Sequence, residues 1–208
     1  MTIDLKSTWQ ISAPRVAGLP QPSGPPAVSL GYLWNSHDSL FLYGGEFSDN
    51  PQGTPTANSL WEYQIGAGQW VEHENPQTTE GENSDPAGQP VERAAEGAGF
   101  SLANLGRGWY FGGHLDFLTT EGWSIQTPRV YLKSFVEFTF PGATNSELSI
   151  QGSAGSSGAW RNMSSAGIQD TAGFTQRADG LLVYVPGFGE EGILLSLAGG
   201  TNETFVSV

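Results

Sequence analysis

Three apolar runs in this chain end on a pair of glycines: residues 40–43 on Gly44-Gly45, 109–111 on Gly112-Gly113, and 193–197 on Gly199-Gly200. Glycine weakens a strand. A pair of them at the same point of three strands marks a place where no side chain fits, or where the backbone turns with positive φ. Tryptophans precede the pairs at a near-constant distance: 35, 42 and 39 residues separate Trp9, Trp70 and Trp160 from the next pair. From pair to following tryptophan the distance is 26 and then 48 residues, so the irregularity sits in one segment. A unit repeated at this period, with loops of variable length, restricts the chain to repeat architectures.

Residues 27–75 hold one whole unit. An inner strand over 28–34 turns at 35–38 into a second strand over 39–43; the glycine pair, a polar loop over 46–58 and two outer strands follow. The outer strands carry Tyr63 and Trp70, bulky residues suited to the wedge between neighbouring units. Residues 1–20 read as the outer strands of a preceding unit, over 2–5 and 7–11, with a connector broken by Pro14, Gly18, Pro20 and Pro22. Residues 76–92 are acidic and of low complexity, as a solvated connector would be. A second, expanded unit occupies 93–165. Its third strand is expected over 130–140, with Lys133 and Glu137 at exposed or inter-unit positions, and Trp160 on its fourth. Residues 174–208 supply the inner strands of a third unit. The second and third units open alike, as Arg93-Ala94-Ala95-Glu96-Gly97 and Arg177-Ala178-Asp179-Gly180. In each, the arginine is expected to pair with the acid or to bond loop carbonyls. Four-stranded antiparallel units of this kind are the blades of a β-propeller, so the fold class is all-β.

Twenty-nine glycines, thirteen prolines and 12% aromatics fit short strands joined by tight turns. Eight Lys and Arg against twenty-one Asp and Glu give a formal charge of -13. That field repels phosphate backbones and anionic membranes and argues against a nucleic-acid partner. No apolar run approaches the ~18–20 residues that span a bilayer, and the first residues lack the apolar centre of a signal peptide. Neither direct membrane insertion nor an export signal is therefore expected of this chain. Two sequons, at Asn162 and Asn202, would matter only on export. With no cysteine there is no disulfide frame, thiolate metal site or cysteine nucleophile.

The passages FLYGG with SLWEYQIGAGQW, ERAAEGAGFSLANLGRGWYFGGHLDFLTTEGW with RVYLKSFVEFTFPG, WRNMSSAG, and QRADGLLVYVPGFGEEGILLSLAGG cover most of residues 27–205. They resemble the kelch repeat, and in particular a group of fungal kelch proteins related in fold to the central propeller of galactose oxidase. The resemblance implies kelch-type blades and relatives that are often cell-surface or membrane-anchored. It makes residues 1–208 a single partial propeller of about three blade-equivalents. Either the chain is a fragment of a six- or seven-bladed ring, or it pairs head to tail as a homodimer that completes one. The copper chemistry of galactose oxidase needs a tyrosine cross-linked to cysteine, so the absence of cysteine excludes it. The Glu-x₃-Asp-x₃-His spacing of the iron-dependent plant specifier kelch proteins does not occur either.

The function expected is a non-catalytic interaction module that binds a protein or a small ligand through the loops after the glycine pairs. The alternative is a metal-free enzyme on a propeller scaffold, of the cyclase or isomerase type found in fungal secondary metabolism, acting by shape alone. Glu46 and Asp49 follow the first pair; His114, Asp116 and Trp123 follow the second. Together they would form an acidic, partly aromatic rim suited to a protein partner, a cationic ligand or a sugar stacked on Trp123. His114 and Asp116 share one face of an extended segment. One histidine and one aspartate in one loop are too few ligands for a metal, so neither metal nor cofactor is expected. Trp61, Trp70, Trp109 and Trp160 are assigned to packing between blades.

Overall fold

The computed structural model describes residues 2, 3, 6, 8, 10–13, 16, 17, 23–163, 176–189 and 192–201. Trp9, Pro14, Gly18, Pro20, Pro22, Ser164 of the first sequon and the second sequon lie outside these residues. The strands are β1 (Thr2–Ile3), β2 (Val16–Ala17), β3 (Tyr32–Asn35), β4 (Ser39–Tyr43), β5 (Ser59–Gln64), β6 (Gln69–Glu74), β7 (Ala98–Leu102), β8 (Arg107–Phe111), β9 (His114–Leu115), β10 (Val130–Tyr131), β11 (Phe135–Thr139), β12 (Ala159–Met163), β13 (Ala178–Val185) and β14 (Ile193–Gly200). Among the described residues, β3-β4-β5-β6 and β7-β8-β11-β12 form two four-stranded antiparallel sheets, and β13-β14 a hairpin. The first strands β3, β7 and β13 pack side by side, as the inner strands of consecutive blades do.

Strand alternation decides which faces meet. In β4 the burial pattern is strictly alternating, with Ser39, Phe41 and Tyr43 on the buried face. That face of the first blade, with Trp34 from β3 and Leu60 from β5, packs on Tyr110, Val136, Phe138 and Trp160 of the second. Trp34 is the hub. It is fully buried, stacks on Tyr43 at 5.2 Å and Phe138 at 5.7 Å, and donates its indole N–H to the Trp109 carbonyl at 3.0 Å. The second blade makes room with glycine: a Cβ on Gly108 would lie 2.7 Å from the Trp34 ring, and one on Gly99 would lie 2.3 Å from Tyr32. Behind it, Ala98, Trp109 and Phe111 meet Leu182 of the third blade.

The glycine pairs dock one blade on the next. A Cβ on Gly44 would stand 2.1 Å from the Ala94 carbonyl oxygen, and one on Gly112 would stand 2.2 Å from that of Arg177. The second glycine of each pair donates to that same carbonyl, Gly45 to Ala94 at 2.8 Å and Gly113 to Arg177 at 2.6 Å. Ala94 and Arg177 both stand three residues before a glycine, Gly97 and Gly180. The acid–glycine step is therefore the true repeat, and the shared Arg-Ala is out of register. Arg93 reaches back to the Ala57 carbonyl at 3.1 Å and lies over the Phe47 ring, whereas Arg177 bonds the Ala198 carbonyl. A second belt ties the blades in series: Glu96 N–H donates to Leu30 O and Asp179 N–H to Glu96 O. Leu30, Glu96 and Asp179 all have φ near +58°, the same backbone turn repeated three times.

Several expectations are corrected. Ser29 bridges Glu46, Ala95 bridges His114 and Ala178 pairs with Gly200. By that register the third pair is Ala198-Gly199, not Gly199-Gly200, and Ala198 carries the positive φ of +59°. Strand β1 pairs with Val16–Ala17 instead of 7–11, while Gln10 bridges Ala13. The strand expected over 130–140 is two: β10 pairs with β9, and only β11 joins the blade. Glu137 takes the inter-unit alternative: it faces Tyr184 and Leu194 of the third blade, buried and bonded to Arg161 at 2.9 Å and Asn145 at 3.0 Å, as a buried carboxylate must be. The connector 76–92 is not a free loop. Thr79 donates to Trp160 O and Asp85 to Asn162 O, which covers the outer edge of β12. Trp160 and Trp109 do pack between blades; Tyr63 and Trp70 pair with each other at 5.2 Å on the face turned away from the second blade. Trp61, on that same face, lies over Gly24 of the connector.

Candidate functional site

In an antiparallel meander the loops after the second strand and the connectors into the first strand emerge at one end of the blades. Glu46 and His114 each stand directly after a glycine pair, so consecutive blades present them to each other. His114 is fixed by β9: its backbone exchanges hydrogen bonds with Ala95, and it pairs in register with Tyr131. Asp116, two residues on, is fixed by a local turn. Its backbone N–H bonds Thr119 Oγ1 at 2.8 Å, and its Oδ1 accepts the Leu118 N–H at 2.8 Å. The Leu118 carbonyl in turn accepts the Phe47 N–H at 2.9 Å, joining the two loops across the blade boundary.

The His114 ring is fully buried and surrounded by carboxylates. Nε2 lies 3.3 Å from Asp116 Oδ2 and 3.7 Å from Glu46 Oε2; Nδ1 lies 3.0 Å from Glu96 Oε2. These are ion-pair distances, but neither ring nitrogen is aligned on a partner well enough for a hydrogen bond. Arg129 completes the group, with Nη2 2.9 Å from Asp116 Oδ2 and Nη1 3.8 Å from Glu96 Oε2. Burial alone would raise the Asp116 carboxyl. The His114 ring, the Leu118 N–H and Arg129 outweigh it and hold the group at about 2. Glu46 is shifted the other way, raised by burial and by the neighbouring Glu96, with Asp116 adding to it. Two carboxylates a few ångströms apart thus sit on opposite sides of their ordinary value.

Of the five candidate residues, the fold brings Glu46, His114 and Asp116 together. Asp49 is exposed and shares with Glu46 a cleft lined by Pro25, Val28, Phe47 and Trp70; Trp123 is half-buried in the turn after Thr120. Two members of the group were missed in the sequence. Glu96 had a signal, the acid–glycine step shared with Asp179. Arg129 had none beyond being one of only eight basic residues.

No family model matches the chain. It is 61% identical over 212 residues to a kelch repeat-containing protein of Arthroderma benhamiae (strain ATCC MYA-4681 / CBS 112371), an alignment that takes in all of this chain and 32% of the relative. With the four-stranded sheets and the docking of glycine pairs on carbonyls already seen, that decides the family. This is a kelch-repeat chain. It spans about a third of the length of the curated relative it matches. The kelch blades explain why the group falls here: the residues after the first two glycine pairs, Glu46 and His114, meet at the junction of consecutive blades.

Proposed function

We propose that this kelch-repeat chain is a non-catalytic interaction module that binds a protein or small ligand through the loops after its glycine pairs. The carrying observation is that the two loops form one surface. Phe47 is tied to Leu118, Glu46, His114 and Asp116 are drawn together, and the same two loops carry the exposed Asp49 and the half-buried Trp123. Rigid blades carrying irregular, joined loops at one end support a binding role, because the scaffold fixes loop positions in advance. Site-specific photo-crosslinkers test it. Placed at 49 or 123 they are expected to capture the same partner; placed at Asp38 or Asn104, in the turns at the opposite end, they capture none. Equal labelling from both ends would refute the assignment.

A further inference from the structure

We propose that Glu46, His114 and Asp116 bind one divalent transition-metal ion of the zinc or cobalt type, clamping two consecutive blades together. This does not depend on the interaction role. One candidate ligand atom from each of Glu46, His114 and Asp116 lies within 4.8 Å of the other two. Metal–ligand bonds of ~2.0–2.2 Å place ligand atoms of a tetrahedral site roughly 3.3–3.6 Å apart. From Nε2, the 3.3 Å to Asp116 Oδ2 falls on that edge and the 3.7 Å to Glu46 Oε2 lies just beyond it.

The second, independent observation is His114 itself. It is fully buried, yet its Nε2 makes no aligned hydrogen bond while pointing into the carboxylates. Held at ion-pair distance but short of an aligned hydrogen bond, the buried Nε2 is left incompletely satisfied, and metal coordination would satisfy it. On the far side of the ring, Glu96 Oε2 lies 3.0 Å from Nδ1, the side from which a carboxylate orients a metal-bound histidine once the two align. Charge agrees. Arg129 answers one of the three carboxylates; with His114 neutral, as a ligand must be, two formal negative charges remain for a dication. Imidazole with carboxylate oxygens and no thiolate favours zinc, cobalt or manganese over copper(I), and three protein ligands leave a position for water or a ligand. The sequence hid this because the third ligand comes from the preceding blade.

The test uses the whole 208-residue chain stripped with a chelator and titrated with Zn²⁺ by calorimetry and with Co²⁺ by visible absorption. One ion per chain is expected. Glu46→Gln, whose side chain is partly exposed, is expected to weaken binding at least 10-fold. Glu96→Gln should keep the stoichiometry but weaken binding about 10- to 100-fold. His114→Ala is expected to abolish the cobalt spectrum. If that variant does not fold by circular dichroism, the two glutamate variants decide. No stoichiometric uptake by the folded wild type, or affinity unchanged in Glu46→Gln, overturns the site.

Discussion

At the scale of single residues, Glu46 and Asp116 carry opposite pH signatures in the metal-free chain. Glu46 is raised, so the folded state takes up its proton before the unfolded chain does. Its contribution is favourable below the ordinary carboxylate value of 4.5 and is lost as pH rises through the raised folded value. Asp116 is held at about 2 against an ordinary 3.8, so its contribution is full above 3.8 and is lost as pH falls towards 2. Removing the Glu46 charge should therefore help the bare fold. Glu46→Gln is expected to raise the melting temperature of the chelated chain at pH 7 by roughly 2 °C, and to flatten the stability gain expected of the wild type on acidification towards pH 4.5. Asp116→Asn should lower stability at pH 7 and remove the acid limb between 3.8 and 2. Thermal melts across pH check both. A Glu46→Gln chain less stable than wild type without metal would show that Glu46 is instead held by its partners.

At the scale of the element, the glycine pairs hold the blades in register, and two contributions to their cost can be separated. Gly112 has φ +68° and no room for a Cβ, which would meet the Arg177 carbonyl at 2.2 Å. Gly142 has φ +76° with nothing within 4 Å of an added Cβ. Gly142→Ala is expected to cost about 1–2 kcal/mol, the price of a left-handed alanine alone. Gly112→Ala adds overpacking against a backbone and should cost about 1–3 kcal/mol more, read as a shift in urea midpoint at unchanged slope. Similar losses for the two would mean that the junction yields easily. The pairs were legible in the sequence because local chemistry demands glycine there. The Trp34 hub was not, because its surroundings come from Phe138 and Trp160, more than a hundred residues away along the chain. The same holds for the Glu137–Arg161 pair and for the connector on β12, whose partners are fixed only by the blade stack. Arg93 and Arg177 misled because identical dipeptides sat one residue out of structural register. At the candidate site, Glu46, His114 and Asp116 were legible as loop residues after the pairs. Their convergence was not, since it needs the blade geometry.

At the scale of the whole molecule, repetition states what the outer faces await. The Trp34 face of the first blade receives Phe138 and Trp160 of the second. The equivalent face of the third blade shows Leu181, Leu195 and Leu197 exposed, while the first blade turns Leu33, Trp61 and Tyr63 the other way, with Leu33 exposed. Apolar area alone would favour head-to-tail pairing of two chains. Ala198 opposes it. It occupies the place of Gly44 and Gly112, where a Cβ comes within about 2.2 Å of the next blade's carbonyl oxygen. An overlap of more than 1 Å with backbone cannot be relieved by a rotamer change, so the same junction cannot form there without moving a strand. Ala198→Gly removes both the overlap and the strain at φ +59°. It is expected to stabilise the hairpin by about 1 kcal/mol. In sedimentation velocity at matched concentration, the Ala198→Gly chain is expected to form more head-to-tail dimer than the wild type. A wild type that already sediments as a dimer, unchanged by the substitution, would show that the third junction is built differently from the first two.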